Sequence, residues 1–203
     1  MKFDHTYQAI PHDCYLIERA FAKPIIGEFL DLFGFADVAF EDLKFRAGDE
    51  DFAFFLSEAQ KIRQLHKGIE NRRLNLRHRW DPLLFVLLKY LSESGQHNDL
   101  QLVRRAITGG DILGEVICSA SGAPLRFNSA FETNRIAACL SRLDSEVLGR
   151  FWNEAEMEKA GVIGIHETDG IREPNLVGRD LERLRDFYNS AAHHGEAVII
   201  IPG

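Results

Sequence analysis

The chain has 203 residues, of which 45% are hydrophobic and 27% charged, the balance of a globular domain able to bury a core. The net charge of −7 argues against a general nucleic-acid binder. The longest apolar runs, 83–88 and 197–202, are far too short to cross a bilayer.

Residues 3–10 alternate, with Phe3, His5, Tyr7 and Ala9 on one side, and read as a strand that Pro11 ends. Asp13 is a plausible N-cap for a short helix over 14–22, and Pro24 suits the first turn of a second, which Gly34 stops. Asp4 and His5 stand where a signal peptide would need an apolar run, so export by that route is not expected. Phenylalanines crowd this third of the chain and are read as core rather than as a cofactor box.

Asp49, Glu50 and Asp51 favour the positive end of a longer helix, in which Phe52, Phe55, Leu56, Ala59, Ile62 and Leu65 form an apolar stripe ending near Gly68. A polar loop through Asn71, Arg72 and Arg73 leads to the stretch 74–91, LNLRHRWDPLLFVLLKYL. There Asp81 is expected as N-cap and Pro82 as first helical residue of a central buried helix that Gly95 closes. Asn98 or Asp99 caps the next helix, and Gly109-Gly110 stops it. In 111–124, Ile112, Leu113, Val116 and Ile117 suggest a strand, which Gly114, Ser119, Ser121 and Gly122 weaken. Ser129 and Glu132 form a capping box opening a further helix. Asp144 and Asn153 cap two short helices, and 162–165 looks extended. A last helix carries Val177, Leu181, Leu184, Tyr188 and Ala191 on one stripe and stops at Gly195. Ala197 to Ile201 is short, β-branched and apolar on both faces, hence a buried strand.

The expectation is an α/β (α+β) fold: one mostly helical domain over 1–203 around a small sheet holding the N-terminal and C-terminal strands. Cys14, Cys118 and Cys139 are widely spaced and odd in number, which fits small buried residues in a reducing cytoplasm.

Charge is uneven along the chain. Residues 28–58 hold nine acids against Lys44 and Arg46, whereas 61–79 hold seven Lys/Arg against Glu70 alone. Solvated faces account for most such runs. The sharper reading makes Arg72, Arg73 and Arg77 a surface for a protein partner. No HExxH, GxSxG, GxGxxG or Walker-type loop exists. His193 and His194 are adjacent, which points them about 100° apart on a helix and suits carbonyl capping rather than one shared ion. No metal or other cofactor is expected. Arg79, Trp80, Asp81, Arg126 and His166 are the candidate ligand-binding residues, lining a cleft for an anionic ligand or an acidic tail; Arg126 alternatively bridges backbone carbonyls. The leading functional expectation is a non-enzymatic cytoplasmic binding protein. A small-molecule hydrolase or transferase built from Asp81, Arg126, His166 and Glu167 is the alternative, and weak nucleic-acid binding through 61–79 the third.

Several segments together resemble the YfbM-like family, bacterial proteins described only as a domain of unknown function. Leu74-Asn75-Leu76-Arg77-His78-Arg79-Trp80 is similar to that family's Leu-Asp-Ile-Asp-Lys-x-Trp segment. Ala106-Ile107-Thr108-Gly109-Gly110 resembles its Ala-Ile-x-Gly-Gly turn, and Pro124-Leu125-Arg126-Phe127 its Pro-Ala-Arg-Tyr segment. The ending, 186–201, looks like its last helix and terminal strand. The resemblance covers about residues 74–203 and the opening strand and helix, and leaves 28–71 as a divergent or inserted helical segment. Arg77 and His78 replace acidic and Lys residues, and Leu84 stands where the family often has a His. The resemblance implies an α/β fold and no activity.

Overall fold

The computed structural model describes residues 4–33, 50–117, 121–165 and 174–202. Strands β1 (His5–Pro11) and β5 (Glu196–Pro202) pair antiparallel along their whole length at the centre of the sheet. Outside β1 lies β2 (Arg73–Arg77); outside β5 lie β4 (Pro124–Asn128) and then β3 (Asp111–Ile117), giving the antiparallel order β2-β1-β5-β4-β3. The terminal strands do meet in one sheet.

The register sorts side chains to two faces. Tyr7, Ile200 and Arg126 are direct partners across β1, β5 and β4, and so are Gln8, Ile199 and Phe127. On the first face Tyr7 meets Phe187 of α8 (Pro174–His193) with ring centroids 6.0 Å apart. It also donates its hydroxyl to Ile107 O, in α5 (Leu100–Thr108). On the second face Phe127 meets Phe21 of α1 (Tyr15–Ala22) edge-on at 5.5 Å. Helices thus cover both faces, and β1 and β5 are buried at nearly every position, including the polar residues His5, Thr6 and Gln8 of β1 and Glu196 of β5.

The remaining helices are α2 (Pro24–Phe33), α3 (Glu50–Leu65), α4 (Trp80–Glu93), α6 (Ala130–Leu140) and α7 (Glu154–Ala160). Of the expected α3 stripe, Phe52, Phe55, Ala59 and Ile62 are buried, with Phe29 of α2 against Phe52 and Phe55, whereas Leu56 is half-buried and Leu65, the last residue of the helix, is exposed. Ser129 caps α6 in a full capping box with Glu132, and Asn153 caps α7. Cys14 and Cys139 are buried, and burial pushes their thiols up to about 12 and about 11. Cys118 lies outside the described residues.

Local expectations change at several points, among them the N-cap of α1, which is Cys14 and not Asp13. The stretch 74–91 is not one helical unit, because Leu74 and Leu76 face the core while Arg73, Asn75 and Arg77 face out, so its first part is β2. Helix α4 begins at Trp80 with Arg79 as N-cap; Asp81 is already inside the first turn, and its carboxylate takes Ile163 N–H at 2.8 Å instead. The segment 162–165 turns rather than extends. Gly164 has φ +83°, and a Cβ there would lie 2.6 Å from His78 O, so the turn is wedged against the chain just before α4. The strand suggested by Ile112, Leu113, Val116 and Ile117 does form, as β3, and its register shifts between Ile112 and Ile117.

Candidate functional site

The site is built on β2. A 3-10 turn at Ile69–Asn71, entered through Gly68 in the left-handed region, feeds Arg72 and the strand into place. Gln8 holds that turn by donating to Ile69 O at 3.0 Å and Arg72 O at 3.2 Å. As the outermost strand, β2 would expose backbone groups along its free edge. Two are occupied: Arg183 donates to Asn75 O at 3.1 Å, and Asn75 Oδ1 accepts Arg77 N–H at 2.6 Å.

Between β2, Ala9 of β1 and α8 lies a cleft of about 380 Å³. Its apolar lining comes from Ala9, Leu74, Phe187 and Ala191. Arg72 and Arg73 stand on the strand side, and Arg183, Asp186 and Ser190 on the helix side. The groups there are of two kinds, engaged and unengaged.

Arg72 is engaged. Its Nη2 lies 2.9 Å from Oε1 of Glu196, a residue with 0% of its surface exposed. Nevertheless Arg72 Nε and both Glu196 oxygens lack a hydrogen-bond partner, so the contact is ionic rather than a well-aligned bond. Burial holds the Glu196 carboxyl above its ordinary range, opposed by the positive charges of Arg72 and His194. Arg183 is engaged by Asn75 O and by Asp180 at 3.4 Å, and Asp180 also meets Arg79 at 3.0 Å. Burial raises the Asp180 carboxyl too, against the pull of Arg79, Arg183 and Arg179. Arg73 and Asp186 are exposed, and among the described residues neither side chain has an ion pair or hydrogen bond.

Of the residues singled out from the sequence, only Arg72 and Arg73 line this cleft. Arg77, with φ 51°, ends β2 and points to solvent. Arg79 is tied to Asp180, and Trp80 stacks on His5 with centroids 4.0 Å apart and planes at 4°. Asp81 holds the 162–165 turn, and burial raises its carboxyl against the Ile163 hydrogen bond. Arg126 donates to Gly110 O at 2.9 Å, the carbonyl-bridging role, and its Cβ leaves no room for a side chain at Gly109. His166 and Glu167 lie outside the described residues. Sequence reasoning missed Arg183, Asp186 and Glu196. Arg183 and Asp186 share a helix face at spacing three beside Phe187, but nothing in the chain links them to Arg72 and Arg73.

A second polar cluster sits at the C-terminal end of α5, on the same face of the sheet. Ile107 O receives the Tyr7 hydroxyl at 3.0 Å and His5 Nδ1 at 3.1 Å. As the carbonyl can only accept, His5 carries its proton on Nδ1. Burial lowers His5 to about 4, opposed by the Ile107 hydrogen bond and Asp4. Tyr188 donates to Ala106 O at 2.8 Å and accepts from Asn128 Nδ2, which also donates to Arg105 O at 3.0 Å. His194 bonds Ser190 O at 2.7 Å, the capping role its position suits. Among the described residues no group of three or more His, Cys, Asp or Glu is arranged to hold a metal ion, and no helix is long and apolar enough to cross a membrane.

Comparison with known proteins places this geometry in context. No curated protein matches the chain. Among solved structures, the chain is similar to the crystal structure of a protein of unknown function, YfbM from Escherichia coli, at 16% identity and a TM-score of 0.49, with 100% of each chain covered. The family described as "Domain of unknown function (DUF1877)" matches residues 35–201. The chain therefore belongs to this YfbM-like family.

Proposed function

We propose that the protein is a non-enzymatic binding protein of the bacterial cytoplasm that holds an anionic group, borne by a small ligand or a protein partner, in the cleft between β2 and α8. One observation carries this reading: part of the basic run, Arg72 and Arg73, lines a concavity rather than a convex solvated face. A guanidinium beside an apolar floor is suited to carboxylate recognition, because its paired N–H groups match two oxygens and the floor excludes competing water. A volume of about 380 Å³ falls in the range, roughly 300–1,000 Å³, of small-molecule sites.

The test is amide NMR on isotope-labelled protein titrated with 3-phenylpropionate and, separately, with inorganic phosphate. Shifts clustered at residues 71–74 and 186–191, abolished by Arg73→Glu, support the reading. Shifts elsewhere, or none with either anion, overturn it.

A further inference from the structure

Arg72 is the strand-side arginine whose guanidinium reaches the α8 side of the sheet. Its backbone carbonyl accepts Ala9 N–H at 3.1 Å, and its Nη2 lies 2.9 Å from Oε1 of Glu196. Glu196 pairs with Pro11 and Ile200 with Tyr7, so by alternation along β5 the Glu196 side chain shares the face on which Tyr7 meets α8. Arg72 therefore borders two things at once, the open cleft and a carboxylate with 0% of its surface exposed. The contact between them is poorly aligned. Arg72 Nε and both Glu196 oxygens have no hydrogen-bond partner, so the pairing leaves donors of the guanidinium unused.

We infer that Glu196 is a built-in competitor for the anion the cleft takes: ionised, it holds Arg72 inward; protonated, it releases the guanidinium, which then receives the anion. This rests on the reading of the cleft as an anion site and adds what controls its affinity. An anion in the cleft asks for the same guanidinium as Glu196, and the two negative charges repel each other. Burial already favours the protonated form of Glu196, lifting its carboxyl above the ordinary range against the pull of Arg72 and His194. An anion bound at Arg72 lifts it further, and by reciprocity proton uptake at Glu196 tightens the anion. Other charges on the elements around β5 are engaged elsewhere: Arg126 of β4 by Gly110 O, Glu132 of α6 by Arg105, and Arg135 of α6 over the Phe131 ring. On β1 the partner of Glu196 is Pro11, which does not titrate. At the end of α8, His194 bonds Ser190 O with His193 beside it; along the helix wall Arg183 is held by Asp180, and Asp186 is exposed. Of these groups only His194 joins Arg72 in acting on the Glu196 carboxyl.

The probe is benzenesulfonate, which stays ionised throughout, titrated into isotope-labelled protein at neutral and at mildly acidic pH. The amides of 71–74 and 186–191 should shift, with affinity at least about fivefold higher at the acidic pH. Glu196→Gln removes the competitor but keeps every other titrating group. It should bind at neutral pH as tightly as the parent does in acid, and lose most of the pH dependence. His194→Gln should keep the parent's dependence. Arg72→Gln alone strands a buried carboxylate, so the receptor is tested in the double variant Arg72→Gln with Glu196→Gln, which should bind weakly at both pH values. If the parent's affinity is the same at both pH values, or Glu196→Gln binds no more tightly than the parent at neutral pH, the competitor inference fails while the anion-binding reading stands. It fails in the same way if His194→Gln abolishes the dependence, or if the double variant binds as tightly as Glu196→Gln alone. If benzenesulfonate shifts the cleft amides in neither the parent nor Glu196→Gln at either pH, both fail.

Discussion

Two polar regions occupy the same face of the sheet, and they differ in how they are closed. At the end of α5, side chains from β1, β4 and α8 converge on the last carbonyls of the helix: His5 and Tyr7 on Ile107 O, Tyr188 on Ala106 O, Asn128 on Arg105 O. Arg105 O also takes the Gly109 N–H at 3.0 Å, and the carbonyls beyond it rely on these side chains, so the cluster is a cap made by the sheet and α8. Asn128 Oδ1 is the one fully buried side-chain polar atom of these four residues left without a hydrogen-bond partner. In the cleft beside α8, charges are paired only in part: orphan atoms remain on Arg72 and Glu196, and Arg73 and Asp186 face solvent unpartnered. Buried polarity is therefore not a functional signal in itself. A cluster whose donors and acceptors consume one another supports the fold, whereas one with open valences has something to offer a ligand.

The largest effect expected to probe this contrast comes from Arg72→Ala. Removing the guanidinium leaves Glu196 as an uncompensated buried carboxylate, at a cost of roughly 3–5 kcal/mol at neutral pH in urea unfolding. The sign of its pH dependence follows from the raised Glu196 carboxyl. A group that binds its proton more tightly when folded reduces stability as pH rises from the ordinary carboxylate range through the raised value. The variant extends that window upward, so its deficit against the parent should shrink on acidification. An equal deficit at neutral and mildly acidic pH would mean that Glu196 is not the charge Arg72 compensates.

A smaller effect is expected from Tyr188→Phe, which strips Ala106 O of its donor and Asn128 of its acceptor inside the closed cluster. Chemical denaturation should show a loss of roughly 1–3 kcal/mol. A neutral outcome would remove the distinction between the two regions from the α5 side. The smallest is Arg73→Gln, which should change stability by less than about 0.5 kcal/mol, the usual limit for an exposed, unengaged residue. A larger loss would show that Arg73 is committed to the fold and not available to a ligand.

Much of the fold was legible in the chain because it rests on local chemistry. The Ser129 and Glu132 capping box, the Asn153 cap, the Gly109-Gly110 turn and the apolar stripes of α3 and α8 are all short-range patterns. The terminal strands were legible too, from alternation in one and β-branched residues in the other. Strand β2 was hidden by its neighbour: Leu74 and Leu76 alternate with polar residues, but the apolar run of α4 follows so closely that the two merge into one unit. Asp81 shows the limit of capping rules, since a carboxylate placed to start a helix was drawn instead to a distant backbone N–H at Ile163. The cleft was not legible at all. Its two walls lie more than a hundred residues apart in sequence, and only the docking of α8 against β2 joins them.

The pairing of β1 with β5 has a kinetic consequence. The central ladder of the sheet joins the strands farthest apart in the chain, and every other strand is attached to one of these two or to its neighbour. Helical pairs such as α1–α2 or α4–α5 can form from nearby sequence while synthesis continues. The sheet cannot close until 196–202 have emerged from the ribosome, so the decisive step is late, of high contact order, and slow relative to the helices that precede it. Until then β1, the strand on which the sheet is assembled, must wait without its partner.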